Sequence, residues 1–471
     1  MPTVAQKTQN IQYDKRWTAL FLLCTAQFMV IMDTSIIGVA LPAIKEALGY
    51  SQANLQWIFN AYVIFFGGLL LLGGRLSDLF GARKIFSAGF LILTVASLLA
   101  GLAWSEASMN TGRALQGFGS ALIAPAALTL VMSMFTDPKE LGKALGFWGA
   151  SAAAGGSAGV FLGGVITEWL SWRWVFLVNI PVGILVLVFI PTLLLAGKKK
   201  QGKIDIIGAL SVTLALVMAV YAIVTADQAG WASLQTLGLL GGATAFFITF
   251  ILIQRSTKEP LMPLHIFKAP NLPAANIVMA LLAAAWIPLW FFLNLYLQQV
   301  LQFSAFNSGL ALLPMTIAIM ILMVGFTGQL VGKFGFKANL IAGLLILTLS
   351  LILFAQVPVN GSFVGNVLVA SLLAALGMSL SYIPGTIASM SGAKPEETGL
   401  ASGLVNTSYQ VGSALGLAAM VALASSKTSS LLQAGSGQIE ALNSGFHAAF
   451  VGAALIAGIA TVIALVFIKS K

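Results

Sequence analysis

The chain has 471 residues, of which 59% are hydrophobic and only 8% charged, with a mean hydropathy of +0.96. A water-soluble fold has no way to hide that much apolar surface, so the composition excludes a soluble enzyme and requires many membrane spans. A net charge of +10 would suit nucleic acid. The basic residues, however, sit in short clusters between apolar runs, with no basic face and no interleaved aromatics, which excludes that partner and reads as topology signals.

Fourteen apolar segments of spanning length follow one another, at 17–41, 53–73, 83–103, 109–134, 142–166, 174–196, 206–226, 233–254, 271–298, 306–331, 338–357, 362–386, 398–424 and 446–468. With the N-terminus inside, 20 of the 24 Lys and Arg fall on the cytoplasmic side, which places both termini there. Residues 1–16 are polar and the first run is long enough to span, so no cleavable signal is expected.

The first segment carries Met32-Asp33-Thr34-Ser35-Ile36-Ile37-Gly38-Val39-Ala40-Leu41-Pro42. Asp33 lies roughly 24 Å along a helix that crosses a hydrocarbon core of about 30 Å. A carboxylate there costs about 2.5–3.5 kcal/mol on insertion scales, so it faces a protein interior or a water-filled cavity. Burial favours the neutral form of an acid, which makes this site a candidate proton carrier; a structural aspartate bonded to neighbouring helices is the plainer reading.

The loop after the second segment reads GRLSDLFGARK. Gly74 and Gly81 permit tight backbone conformations, and Asp78 can bond backbone amides or pair with Arg75, Arg83 or a neighbouring helix end. It reads either as a topogenic turn or as a charge latch that breaks and reforms during gating. In the fourth segment Arg113 shares a stripe with Gln116, Gly117 and Ser120. The helical rise puts Arg113 about 6 Å and Asp33 about 12 Å from the same end, a gap an arginine side chain can cover. The fifth segment holds Gly155, Gly159, Gly163 and Gly164, a spacing that lets helices approach closely.

Two repeats relate the halves. Gly74 to Arg83 aligns with Gly328 to Lys337 at an offset of 254, and Gly142, Gly146, Gly155 and Gly159 align with Gly399, Gly403, Gly412 and Gly416 at 257. Parallel six-helix halves around a central site are one architecture of secondary transporters. The expected division is an N-terminal bundle at 1–196, a linker with two extra helices at 197–269 entered by a basic run, and a C-terminal bundle at 270–471. The second half lacks an evident acid or base at membrane depth. Its polarity comes from Asn276, Asn294, Gln298, Tyr382, Asn406 and Gln410, beside Trp286, Trp290 and Phe291. Candidate substrate contacts are Tyr62, Gln116, Phe291, Asn294, Gln298, Asn406 and Gln410, a set suited to a bulky amphiphile.

Cys24 and the distant His265 and His447 form no metal-ligand set, and no nucleophile pairs with a histidine. The nearest approach to a phosphate loop, Gly328-Gln329-Leu330-Val331-Gly332-Lys333-Phe334, has the wrong spacing. No metal, cofactor or enzymatic activity is expected.

Taken together, MDTSIIGVALP, GRLSDLFGARK, RALQGFGSA, SWRWVFLVNIPVG, DIIGA, SGLALLP and GLASGLVNTSYQVGSALG resemble the major facilitator superfamily, in its fourteen-helix drug:proton antiporter branch, over essentially the whole chain. The resemblance implies an all-α polytopic protein with two six-helix bundles plus two extra helices. It implies export of small amphipathic or drug-like compounds energised by the proton gradient, with Asp33 as protonation site, Arg113 as its partner, and a gating loop around Gly74, Arg75, Asp78, Gly81 and Arg83. It further implies a monomer in a bacterial inner membrane. Two positions differ from the branch pattern. Gly38 stands where Asn is usual, and Val160 follows Gly159 where the antiporter motif usually has Pro before its glycine pair, which keeps an uptake symporter or facilitator as an alternative. A non-transporting membrane receptor with this fold is the alternative of a different class. Should Asp33 not carry the proton, Asp205 and Glu397 are the next acids to consider.

Overall fold

In a computed structural model the described residues are 16–135, 137–194, 204–391 and 398–470; the basic run at 197–203 and Glu397 lie outside them. The described residues are helical throughout, with no strand. A chain immersed in lipid must satisfy its backbone polar groups within each segment, and helices do so. The helices are α1 (Arg16–Leu48), α2 (Trp57–Phe80), α3 (Ala82–Gly101), α4 (Glu106–Met134), α5 (Pro138–Trp169) and α6 (Asn179–Leu193). They continue with α7 (Ile206–Ala229), α8 (Leu234–Ser256), α9 (Leu272–Leu295) and α10 (Ala305–Ile321). The last four are α11 (Thr327–Phe354), α12 (Val369–Met390), α13 (Thr398–Gln433) and α14 (Gln438–Phe467).

Thirteen described stretches are long and apolar enough to cross a membrane, and one of them, Ala305–Phe354, runs for 50 residues. At 1.5 Å per residue that is about 75 Å, more than two hydrocarbon thicknesses. Gly335, with φ 77° and ψ 163°, breaks it inside α11, so it crosses twice and the crossings number fourteen. Gly81, with φ 94°, makes the corresponding break between α2 and α3. The 254-residue offset aligns these two glycines, and both occupy the left-handed region open to a residue without Cβ.

The second repeat has an equally plain meaning. A Cβ built on Gly155, Gly159 or Gly163 of α5 would lie 2.5, 3.0 and 2.6 Å from the carbonyl oxygens of Phe28, Met32 and Ile36. Both helices advance by four residues per contact, so α1 and α5 run parallel, backbone against backbone. Gly412 and Gly416 of α13 meet Ala280 and Ala284 of α9 in the same way. The aligned glycines thus pack aligned helix pairs.

Between the halves, α5 meets α10 where Gly164 faces Ala305 and Gly309, and α2 meets α13 where Gly67 faces Gln410. Toward the basic end, Gly146 and Gly149 of α5, Gly325 in the turn that follows α10, and Gly328 and Gly332 at the start of α11 have no heavy atom of the described residues within 4 Å of a Cβ built on them. Close backbone contact between α5 and α10 is thus made at the end of Gly164 and Gly309. Helix α7 rests against α2 and α13, with Val220 and Val224 packed beside Tyr62 and Ala418. Large apolar side chains such as Leu237, Phe247, Leu455 and Val462 remain exposed, as a lipid-facing surface requires.

Candidate functional site: a sealed aspartate cage

Asp33 is fully buried in α1. Arg113 of α4 donates from Nη1 to Asp33 Oδ2 at 2.6 Å. Gln116, one turn on, donates from Nε2 to Oδ1 at 3.0 Å, and Asn179 at the start of α6 donates to the same oxygen at 2.7 Å. Ser97 of α3 closes the set by accepting from Gln116 Nε2 at 2.8 Å. Three donors on one carboxylate are what an ionised acid needs to remain in a low dielectric.

Arg113 is held as firmly as its partner. Its Nε donates to the Ile58 carbonyl at 2.8 Å, Nη1 also reaches Gln116 Oε1 at 2.8 Å, and the guanidinium carbon lies 4.4 Å from the centre of the Tyr62 ring. The Tyr62 hydroxyl donates to Ser120 at 2.8 Å. Fixing a planar, five-donor cation on three sides suits arginine and excludes lysine. Two buried polar atoms in this cage have no partner: Arg113 Nη2 and Asn179 Oδ1.

Every member of the cage belongs to α1, α2, α3, α4 or α6, all in the first half of the chain. Tyr62 and Gln116, expected as substrate contacts, are fully buried members of it. The reason is packing: Gly117 brings the α4 backbone against that of Tyr62, so this stripe of α4 turns inward. Asn179 and Ser97 had no role assigned from sequence. Asn179 was visible as an asparagine inside the apolar SWRWVFLVNIPVG stretch; Ser97 gave no signal.

The remaining expected contacts are spread along the seam. Phe291 is buried, with its ring 6.1 Å from Phe59. Asn294 is buried beside Gly38, where a Cβ would sit 2.9 Å from Asn294 Nδ2, and Gln298 Nε2 donates to the Val39 carbonyl at 2.9 Å. A carboxamide from α9 thus fills the space that a longer side chain at 38 would take. Gln410 packs on Gly67, while Asn406 is exposed. Near them Tyr382 of α12 and Tyr409 of α13 stand edge to face, 5.4 Å apart.

The stretch expected to be a loop is helical up to Phe80: Gly74, Arg75 and Asp78 lie in the last turns of α2, Gly81 alone leaves the helix because only it takes a positive φ, and Arg83 is in the first turn of α3. Arg75 forms an ion pair with Glu259 of the segment after α8, and Arg83 donates to the Leu194 carbonyl at the end of α6 at 3.1 Å. Asp78, in the last turn of α2, is half-buried and engaged by its surroundings. Helix α5 passes through Val160 without a break. Asp205 caps α7 through the Gly208 amide at 2.8 Å and accepts from Gln254 at 2.6 Å, which accounts for it structurally.

Comparison with known proteins agrees with this architecture. The chain is 37% identical over 443 residues to the cephamycin export protein CmcT of Amycolatopsis lactamdurans, covering 93% of this chain and 90% of that protein. It is 33% identical over 423 residues to the puromycin resistance protein pur8 of Streptomyces alboniger, covering 89% and 84%. In fold it resembles the crystal structure of a bacterial homologue of the human lysosomal transporter Spinster, with a TM-score of 0.70 at 16% identity over 96% of each chain. The family model of the Major Facilitator Superfamily matches residues 23–417, and the chain belongs to that family of multi-pass membrane transporters.

Proposed function

We propose that the chain exports small amphipathic, drug-like compounds across the cytoplasmic membrane in exchange for protons, with Asp33 as the protonation site and Arg113 as its partner. The observation that carries this reading is Asp33, fully buried at membrane depth and ion-paired to the fully buried Arg113. Ion pairs of that kind are costly to build and mark proton and substrate pathways in membranes. The export and resistance proteins named above support the direction and the substrate class.

Because Asp33 is fully buried, substrate and proton compete through Arg113 and Tyr62 rather than by contact with Asp33. Tyr62 stacks on Arg113 and packs in one cluster with Ala414 and Ala418 of α13, so it links the cage to the second half. Substrate contacts come from Phe291, Asn294, Gln298, Asn406 and Gln410, with the Tyr382–Tyr409 pair offering aromatic faces and edges to a planar or cationic group. The α2–α3 junction, with Gly74, Arg75, Asp78, Gly81 and Arg83, latches the basic end, and glycines 155, 159, 163 and 164 keep α5 close to its partners during the motion. The basic loops and both termini face the cytoplasm. Bundles at 1–196 and 270–471 rock about the seam, with the 197–269 segment between them in sequence.

The test is accumulation of substrate by everted vesicles while the pH gradient and the membrane potential are collapsed separately. Asp33→Asn should abolish gradient-driven accumulation at unchanged abundance. Undiminished accumulation in that variant would move the coupling site elsewhere.

A further inference from the structure

We propose that Asn179 is the positioning residue that lets Asp33 change protonation state inside its buried cage: its carboxamide makes a half-turn, and its Oδ1 accepts a hydrogen bond from the new Asp33 O–H that its Nδ2 now opposes. The proposal rests on Asp33 being the protonation site.

Every neighbour of the carboxylate is a donor. Oδ2 faces Arg113 Nη1, and Oδ1 faces both Gln116 Nε2 and Asn179 Nδ2. A proton added to either oxygen therefore points at N–H groups. Something in the cage must turn or leave, because an O–H buried without an acceptor loses its full hydration.

Arg113 is not that group. A guanidinium has no acceptor to offer, and this one is fixed by the Ile58 carbonyl, Gln116 and the Tyr62 ring. Gln116 is not free to turn either, since its Oε1 accepts from Arg113 and its Nε2 also donates to Ser97. A half-turn would break both.

Asn179 differs in one respect. Its Oδ1 is buried with no partner, so nothing holds the carboxamide in its present sense except Asp33 itself and a longer contact to Ser97 of 3.4 Å. The terminal torsion of asparagine is broad and roughly two-fold, so the half-turn changes no volume. After it, Oδ1 lies where Nδ2 was and accepts from the Asp33 O–H. The amide hydrogens take the place of the formerly unpartnered oxygen, so one unpartnered polar group is exchanged for another. No covalent bond other than the new O–H is made or broken, and Asn179 keeps its own hydrogens.

The charged or titratable groups facing Asp33 are Arg113 from α4 and Tyr62 from α2. Among the described residues α3 and α6 present Ser97 and Asn179, both neutral, and α5 presents glycines along this stretch of α1. The neutral carboxamide is thus the adaptable member of the set.

The experiment compares Asn179→Thr with Asn179→Val, which match in size and differ by a hydroxyl that both donates and accepts. Each is assayed in proteoliposomes for transport against pH, normalised to abundance, alongside Asp33→Asn. The threonine variant should keep its rate within about threefold of the parent, and the valine variant should be at least about tenfold slower with a displaced pH midpoint, the scale of a hydrogen bond to a charged group. Acid-minus-alkaline difference infrared spectra with isotope-labelled asparagine should show one amide band moving in the parent and not in Asn179→Val or Asp33→Asn. Identical pH profiles for the threonine and valine variants, or an amide band that still moves in Asn179→Val, would overturn the inference while leaving Asp33 in place. Proton-driven transport surviving in Asp33→Asn would instead overturn the reading beneath it.

Discussion

Gln298, in the helical turn Tyr296–Val300 that follows α9, donates to the Val39 carbonyl of α1 at 2.9 Å, a hydrogen bond that joins the two halves of the chain. One turn earlier on α9, Asn294 fills the space beside Gly38. These contacts help close the seam at the end opposite the basic loops. Gln298→Ala removes a bond worth about 1 kcal/mol and should shift the population toward opening that end by about fivefold. The measure is labelling of a cysteine placed at Ser35, in a Cys24→Ala background, by an impermeant maleimide added from that side. Unchanged labelling would show the bond to be passive.

The Asp33–Arg113 pair sets a second expectation. Arg113→Leu leaves a buried carboxylate without its counter-charge, a loss of about 3–5 kcal/mol. Adding Asp33→Asn removes that charge, so the double variant should unfold at a higher temperature than Arg113→Leu alone. Simple addition of the two losses, read by thermal unfolding in detergent, would mean that the pair is not coupled.

Glycines divide by what surrounds them. A Cβ at Gly412 collides with the Ala280 backbone, whereas one at Gly146 meets nothing within 4 Å. Gly412→Ala should cost about 1–3 kcal/mol by overpacking and lower the abundance of folded protein. Gly146→Ala should be neutral or stabilise by up to about 1 kcal/mol through helix propensity. Fluorescence size-exclusion profiles after graded heating rank the two, and equal behaviour would contradict the described α9–α13 contact.

At the basic end, Arg75 and Glu259 pair with side chains 23% and 43% exposed. Exposed pairs contribute about 1 kcal/mol at most, so Glu259→Gln should alter transport by no more than about fivefold. Exchanging the charges, with Arg75→Glu and Glu259→Arg together, should recover what either reversal alone loses. Asp78→Asn should impair transport at parental abundance. A double exchange as poor as both singles would remove the pair from the latch.

Tyr50, in the turn between α1 and α2, donates to Asn110 Oδ1 at 2.8 Å and also lies 3.1 Å from the Glu106 carbonyl. Burial, and after it the Glu106 charge, pushes its hydroxyl well above the ordinary tyrosine range. Unfolded tyrosine ionises near pH 10 while the folded residue keeps its proton. Its contribution is therefore complete below that pH and declines as pH rises through it. Tyr50→Phe should be less stable at neutral pH and show a shallower alkaline loss of unfolding temperature between about pH 9 and 11. Parallel curves for the two proteins would exclude Tyr50 as the source.

Much of this molecule is written locally. Apolar runs longer than a bilayer leave helices as the outcome, since no other backbone arrangement with few long-range partners satisfies its polar groups in lipid. The repeated glycines at offsets of 254 and 257 encode two breaks and two close helix pairs, because absence of a Cβ acts at the residue itself. Asp33 and Arg113 were singled out as an acid and a base at membrane depth, where each needs a partner.

What α3 and α6 contribute was not legible in the same way. Ser97 and Asn179 stand 64 and 146 residues from Asp33 in the chain, and nothing in a serine or an asparagine among apolar neighbours says which helix it faces. Nor does the α4 stripe announce that Gln116 bonds Asp33 while Tyr62 stacks on Arg113. Helix rotation and register settle such matters, and these follow from summed packing of many side chains across elements far apart in sequence. The sequence by itself determined which groups need partners; tertiary packing decided that those partners all lie in one half and are buried there together.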